Sequence, residues 1–198
     1  MQATNRSYFS IAGLAIQSVQ TRTASGQIGH DPTLGAAKAG SLTTRTDDNT
    51  GIVTCSEGHG IQSLDVVDVY WADGVRYGMV ATVTVNAVAV EGGAGEALPA
   101  QATAVTVGVT TNLDTDFDGD LLEMIAAHST KRAMIVFLDV DDVVLKAVEL
   151  TAGEAWAWSS GGDIANPLTG NPVAYVLVSN GDSAAAAAVK LGILYSSS

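Results

Sequence analysis

The chain has 198 residues and a mass of 20.2 kDa, enough for one ordinary domain or two small ones. Hydrophobic residues make up 47%, which excludes a wholly disordered chain, and 21 acids against 9 bases exclude the clustered Lys and Arg that phosphate-backbone binding requires. A lone cysteine, Cys55, excludes an internal disulfide and a cysteine-built zinc cluster.

Met1 to Phe9 has no charged leader followed by an apolar run, and no stretch approaches the roughly 20 apolar residues of a membrane span. The expectation is a soluble protein made in a cytoplasm, with no membrane partner. Tyr8-Phe9-Ser-Ile11-Ala-Gly-Leu14-Ala-Ile16 is the one apolar cluster before residue 40. Around Ser25-Gly26, Gly29-His30-Asp31-Pro32 and Gly35 to Gly40 the residues are those of turns. Residues 1–40 therefore read as an extended arm, with a single strand, that needs a partner surface.

From residue 40 the pattern is strand after strand. Ser41–Thr46 and Ile52–Cys55 flank the turn cluster Asp47-Asp48-Asn49-Thr50-Gly51. Val66–Trp71 and Val75–Val80 flank Ala72-Asp73-Gly74. Thr82–Val85 and Val88–Val90 alternate in period 2, Glu91–Glu96 reads as a glycine-rich loop, and Ala104–Val109 as a strand. Valine and threonine dominate because branched side chains suit a pleated surface. Residues 41–112 are thus expected to form a β-rich, barrel-like domain.

Residues 113–130 read as an acidic loop and a short helix. Leu121-Leu-Glu-Met-Ile-Ala-Ala127 holds strong helix formers, aspartates precede it, and Lys131 and Arg132 follow it, as the helix dipole prefers. The spacing predicts a helix over about 118–128. Strands resume at Ala133–Val140 and Val143–Leu150, flanking Asp141-Asp142, then at Trp156–Trp158, Pro172–Val178 and Ala184–Tyr195. Residues 131–198 are expected to form a small antiparallel β-sandwich. The fold class is mainly β, with barrel and sandwich domains, one short helix and an amino-terminal arm.

Candidate sites are few. Asp114, Asp116, Asp118 and Asp120 alternate around Gly119, as oxygen ligands do at the opening of a calcium loop. The closing acid of such a loop falls on Ile125, with Glu123 two residues early. Helix capping by Asp118 or Asp120 is the other reading. His30, His59 and His128 have unrelated neighbours, no Gly-x-Ser-x-Gly elbow occurs, and Gly92-Gly-Ala-Gly95 lacks the Lys-Ser/Thr of a phosphate loop. Trp156 and Trp158 share one strand face, which suits either sugar stacking or a core. No catalytic residue and no organic cofactor are expected.

Charge is unevenly placed. Residues 1–62 carry four bases and four acids, and residues 63–198 carry seventeen acids and five bases, which is the whole −12. A neutral docking side and an acidic solvated side would produce that division.

The run Thr23-Ala-Ser-Gly26 through His30-Asp-Pro-Thr-Leu-Gly to Thr50-Gly51 resembles structural proteins of tailed phages. Asp68-Val-Tyr-Trp71-Ala-Asp-Gly-Val-Arg76-Tyr-Gly-Met79 and Val176-Leu-Val-Ser-Asn-Gly181 are similar to the same group. The resemblance spans most of the chain and carries over no functional residue. It implies a virion component: a capsid decoration or cement protein, or else a tail-tube, tail-tip or head–tail connector subunit. It also implies the major capsid protein or other virion proteins as partners. Low charge, many small residues and an extended arm suit a protein repeated many times, which points to self-association as a homo-oligomer, and the acidic balance points to no direct contact with nucleic acid. A receptor- or glycan-binding module is a further reading.

Overall fold

The structure is a computed structural model, and it describes residues 8–11, 14–17, 26–114, 121–159, 168 and 173–196. Its regular elements are all β. β1 (Tyr8–Ile11) and β2 (Leu14–Gln17) form a hairpin with Phe9 opposite Ile16. β3 (Gly26–His30) and β4 (Thr33–Leu34) follow. β5 (Lys38–Arg45), β6 (Thr50–Cys55), β7 (Val66–Trp71), β8 (Gly74–Thr84), β9 (Ala87–Gly95) and β10 (Ala104–Val109) close into an antiparallel barrel in the order β10-β5-β6-β9-β8-β7.

Turn chemistry sets this part. The Asp47 carboxylate accepts the Asn49 N–H at 2.7 Å, and Thr46 N–H donates to Thr50 O at 2.9 Å, which closes the β5–β6 hairpin. Along β8 and β9, Met79, Ala81, Val88 and Val90 point inward and are fully buried, while Val80 points out. Leu42, Val53, Val67, Val69 and Val107 complete the filling. Glu91–Gly95, expected as a loop, is instead the second half of β9. Gly93 makes this possible: its φ is +68°, and a Cβ there would stand 2.4 Å from Tyr77 O.

The rest of the chain is a sandwich. β11 (Thr111–Asp114), β13 (Ala133–Leu138), β14 (Val144–Leu150) and β16 (Tyr175–Asn180) form one sheet, ordered β11-β16-β13-β14. β12 (Leu121–Ser129), β15 (Ala155–Ser159) and β17 (Ala187–Ser196) join β3 in the other, ordered β15-β12-β17-β3, and β4 also pairs with β17. Ile125, Ile135, Phe137, Val178, Leu191 and Ile193 fill the space between the sheets. β13 is buried throughout because it has two packed faces. Ile135 and Phe137 face the sandwich core, and Met134, Val136 and Leu138 face the barrel.

Two expectations need correction. The helix over 118–128 is absent where the structure describes it: Leu121–Ser129 is β12, the partner of both β15 and β17, with Ile125 opposite Trp158 and Ile193. Helix propensity is a weak preference, and pairing on both edges overrides it. Met124 and Ala126 are buried on the face away from the core, so the strand shows no polar alternation. The extended segment 1–40 is also not all free of this chain's own sheets. β3 and β4 pair with β17, and β5 begins at Lys38, so only the part before residue 26 precedes the body. The barrel is thereby an insertion between β4 and β11 of the sandwich.

Gly108 and Gly181 let barrel and sandwich touch. A Cβ on Gly108 would lie 2.3 Å from Asn180 O, and one on Gly181 would lie 2.8 Å from the Tyr70 ring. Gly108→Ala is therefore expected to lower the unfolding free energy by about 2 kcal/mol, the usual cost of overpacking. Urea unfolding of the variant beside the parent protein measures this.

Candidate functional site

β7 sends alternate side chains to opposite sides. Val67 and Val69 enter the barrel, and Asp68 and Tyr70 point out of it. That outer side is covered by β16, so Asp68 and Tyr70 are each only 1% exposed. Asp68 accepts the Gly78 N–H at 2.8 Å and the Ser179 hydroxyl, and the Tyr70 hydroxyl bonds to Ser179 Oγ in turn. Burial pushes the Asp68 carboxyl up to about 6, although the Ser179 and Gly78 hydrogen bonds favour its charged form. Burial also pushes the Tyr70 hydroxyl well above its ordinary value, and the Asp68 charge adds to this.

Arg132, just before β13, reaches across the same junction. Its guanidinium lies 5.2 Å over the Tyr70 ring and donates to Trp71 O at 2.6 Å and Gly74 O at 3.0 Å. It also pairs with Glu149 at 2.6 Å. Thr106 donates to Gly181 O at 2.8 Å, and Asn180 donates to Gly35 O and Ala185 O. The tyrosine, serine and aspartate form a linear chain of hydrogen bonds with Ser179 in the middle. Ser179 is fully buried, and its neighbours are a carboxylate and a phenol with no imidazole. The chemistry supported is structural: the group joins two β units through polar contacts satisfied on both sides.

Beside this junction a cleft of about 740 Å³ opens between barrel and sandwich. Its walls include Tyr77 from the barrel and Val136, Tyr175 and Leu177 from the sheet, and Leu64 and Val80 are at the barrel side. Asp65, Asp68 and Asp142 are its charged lining residues.

Of the aspartates read from sequence as calcium ligands, Asp116, Asp118 and Asp120 lie outside the described residues. The backbone of Asp114 ends β11, opposite Tyr175. Among the described residues no group of three His, Cys, Asp or Glu side chains is placed to hold a metal ion.

The histidines do not converge. His59 Nδ1 accepts the Ile61 N–H at 3.0 Å, which leaves Nε2 to donate to Val85 O at 3.0 Å and secure the β8–β9 turn. His30 stands opposite Leu191 and His128 opposite Lys190. His30 Nε2 and His128 Nδ1 are buried without a hydrogen-bond partner. The glycine run of β9 presents carbonyls, not N–H groups: Arg76 donates to Gly92 O at 2.7 Å and to Gly93 O at 2.8 Å. That polarity is wrong for a phosphate. The two indoles belong to the core. Trp158 is buried, and Trp156 packs on the core with its ring 6.2 Å from that of Phe137. They form no exposed platform for a sugar. Burial raises the Cys55 thiol above its ordinary value, away from reactivity.

Sequence reasoning missed Asp68, Tyr70, Ser179 and Arg132, since the partners are more than a hundred residues apart in two cases and no local motif links them. Comparisons with family models, with curated proteins and with solved structures find no match to this chain.

Proposed function

We propose that the chain is a non-enzymatic structural protein of a tailed-phage virion, a decoration protein that binds and stabilises the head. The observation that carries this reading is the junction between barrel and sandwich. A buried hydrogen-bond chain, a stacked guanidinium and two glycine contacts hold two β units as one body. Such a body suits a subunit repeated many times on a larger surface, where association adds to the stability of each copy. The resemblance in Thr23–Gly51 and Asp68–Met79 supports the same class.

The partner in this reading is the major capsid protein, and the location is the virion. Docking through the amino-terminal part is best tested with a cut before residue 26. A cut at residue 40 would also remove β3, β4 and the start of β5.

Immunogold labelling of purified virions with an antibody to this protein is expected to mark heads. Label on tails transfers the protein to the tail tube, tail tip or connector. Virions that carry none of the protein by mass spectrometry overturn the reading.

A further inference from the structure

The barrel side of the cleft carries an exposed apolar side chain. Leu64, at its mouth, is 80% exposed and has a φ of +76°. A leucine there exposes a large apolar side chain in a backbone region that favours glycine and asparagine. The turn is held by Leu64 N–H donating to Ala81 O at 2.8 Å and Asp65 N–H donating to Gln62 O at 3.2 Å, and the exposed leucine side chain takes no part in that hydrogen bonding. Around it lie Val80 and Val144, both exposed, above the apolar walls of the cleft. The charged lining consists of aspartates, and no Lys, Arg or His joins them. An occupant that fits is extended, apolar and basic.

Residues 1–30 of this chain have that character. They hold Arg6 and Arg22 and no acid, around the apolar strands Tyr8–Ile11 and Leu14–Gln17. The hairpin of β1 and β2 is a two-stranded sheet that pairs with no other described strand. A two-stranded hairpin is marginal in water, so one that meets its own chain only beside β12 gains from a second surface. β1 lies beside β12, in the five-stranded sheet, whereas the cleft opens on the other sheet of the sandwich. Hairpin and cleft therefore belong to different sides of one copy.

We propose that the cleft between barrel and sandwich receives the amino-terminal hairpin of a second copy of this chain, so that copies associate head to tail. The contact is heterologous, and repetition closes a ring or extends a filament. This deepens the proposed role, because it supplies the repeat. It is tested in free solution, so its failure is separate from failure to find the protein on virions.

Sedimentation velocity of the full-length protein over a concentration series reads the association. Leu64→Asn removes the apolar side chain while easing the backbone, so the fold is kept. It is expected to weaken association about tenfold or more, as loss of a central contact does. Arg6→Glu with Arg22→Glu is expected to weaken it likewise, and added salt should weaken the parent protein more than this variant.

Chains that carry Leu64→Cys or Phe9→Cys together with Cys55→Ala, so that each holds one cysteine, should give a 64–9 disulfide between copies when mixed under mild oxidation. A protein that stays monomeric throughout, a Leu64→Asn variant that associates like the parent, or a doubly substituted chain that closes on itself as a monomer would each overturn the proposal. The last outcome assigns the cleft to the chain's own hairpin, and the first assigns it to a different partner.

Discussion

Tyr70→Ala is expected to lower the unfolding free energy by about 4 kcal/mol, the largest single loss at the junction. Three contributions add in one direction. The ring is buried against Gly108 and Gly181, where glycines leave no Cβ to fill the space it vacates. The Arg132 guanidinium loses the face it stacks on. Ser179 loses a hydroxyl partner in a site closed to water. Tyr70→Phe removes only the hydroxyl and should cost about 1–2 kcal/mol. Urea unfolding at pH 7 separates the two variants. A loss below about 1 kcal/mol for the alanine variant would mean that the junction contributes little to holding the units together.

Asp68→Asn is expected to stabilise the protein above pH 6 and to remove one component of its pH dependence. In the folded chain the Asp68 carboxyl titrates at about 6, against an ordinary value of 3.8. The native state therefore holds the proton more tightly than the unfolded state. Its contribution to stability is fully present below about pH 4 and is lost as pH rises through 6. A displacement of about two units corresponds to about 3 kcal/mol. Asparagine keeps an acceptor for the Gly78 N–H and a donor toward Ser179, and it never has to bury a charge.

Two other groups act at lower pH. Asp182 and Glu154 are held below their ordinary values by backbone hydrogen bonds, from Ala184 and Thr151 respectively, so they lose stabilisation as pH falls. The difference between parent and variant cancels these. That difference should grow from near zero at pH 4 to its full value above pH 7. A constant difference across the range would show that Asp68 is not the titrating group.

The parts of the fold that were legible in the sequence are those fixed by neighbours in sequence. Asp47 to Gly51, Ala72-Asp73-Gly74 and Asp141-Asp142 mark hairpins because turns are local chemistry, and strands such as β6 and β9 alternate as one-face-buried strands do. Leu121–Ala127 was misread because the signal for a strand is alternation, and a strand buried on both faces has none. The Gly92–Gly95 stretch was misread because an irregular strand in a closed barrel uses the same residues as a loop. The junction was illegible because Asp68 and Tyr70 are ordinary outward positions of β7 until β16 covers them, and only the three-dimensional fold brings Ser179 there. Trp156 and Trp158 were legible as a same-face pair, and the core took that face.

The insertion of the barrel between β4 and β11 has a consequence for the order in which the protein is made. All six barrel strands lie between Lys38 and Val109, and its two ends meet, with Lys38 opposite Val107. A ribosome delivers this closed unit whole before most of the sandwich exists. β3, already synthesised, waits for β17, its hydrogen-bonding neighbour, which begins at Ala187. At about 5–20 residues per second that wait is on the order of eight to thirty seconds. During it Gly26–His30 is an unpaired edge on a nascent chain, with a finished barrel beside it and the apolar hairpin ahead of it. The interval in which this protein is most exposed to wrong pairing is therefore set by translation speed across the second half of its message.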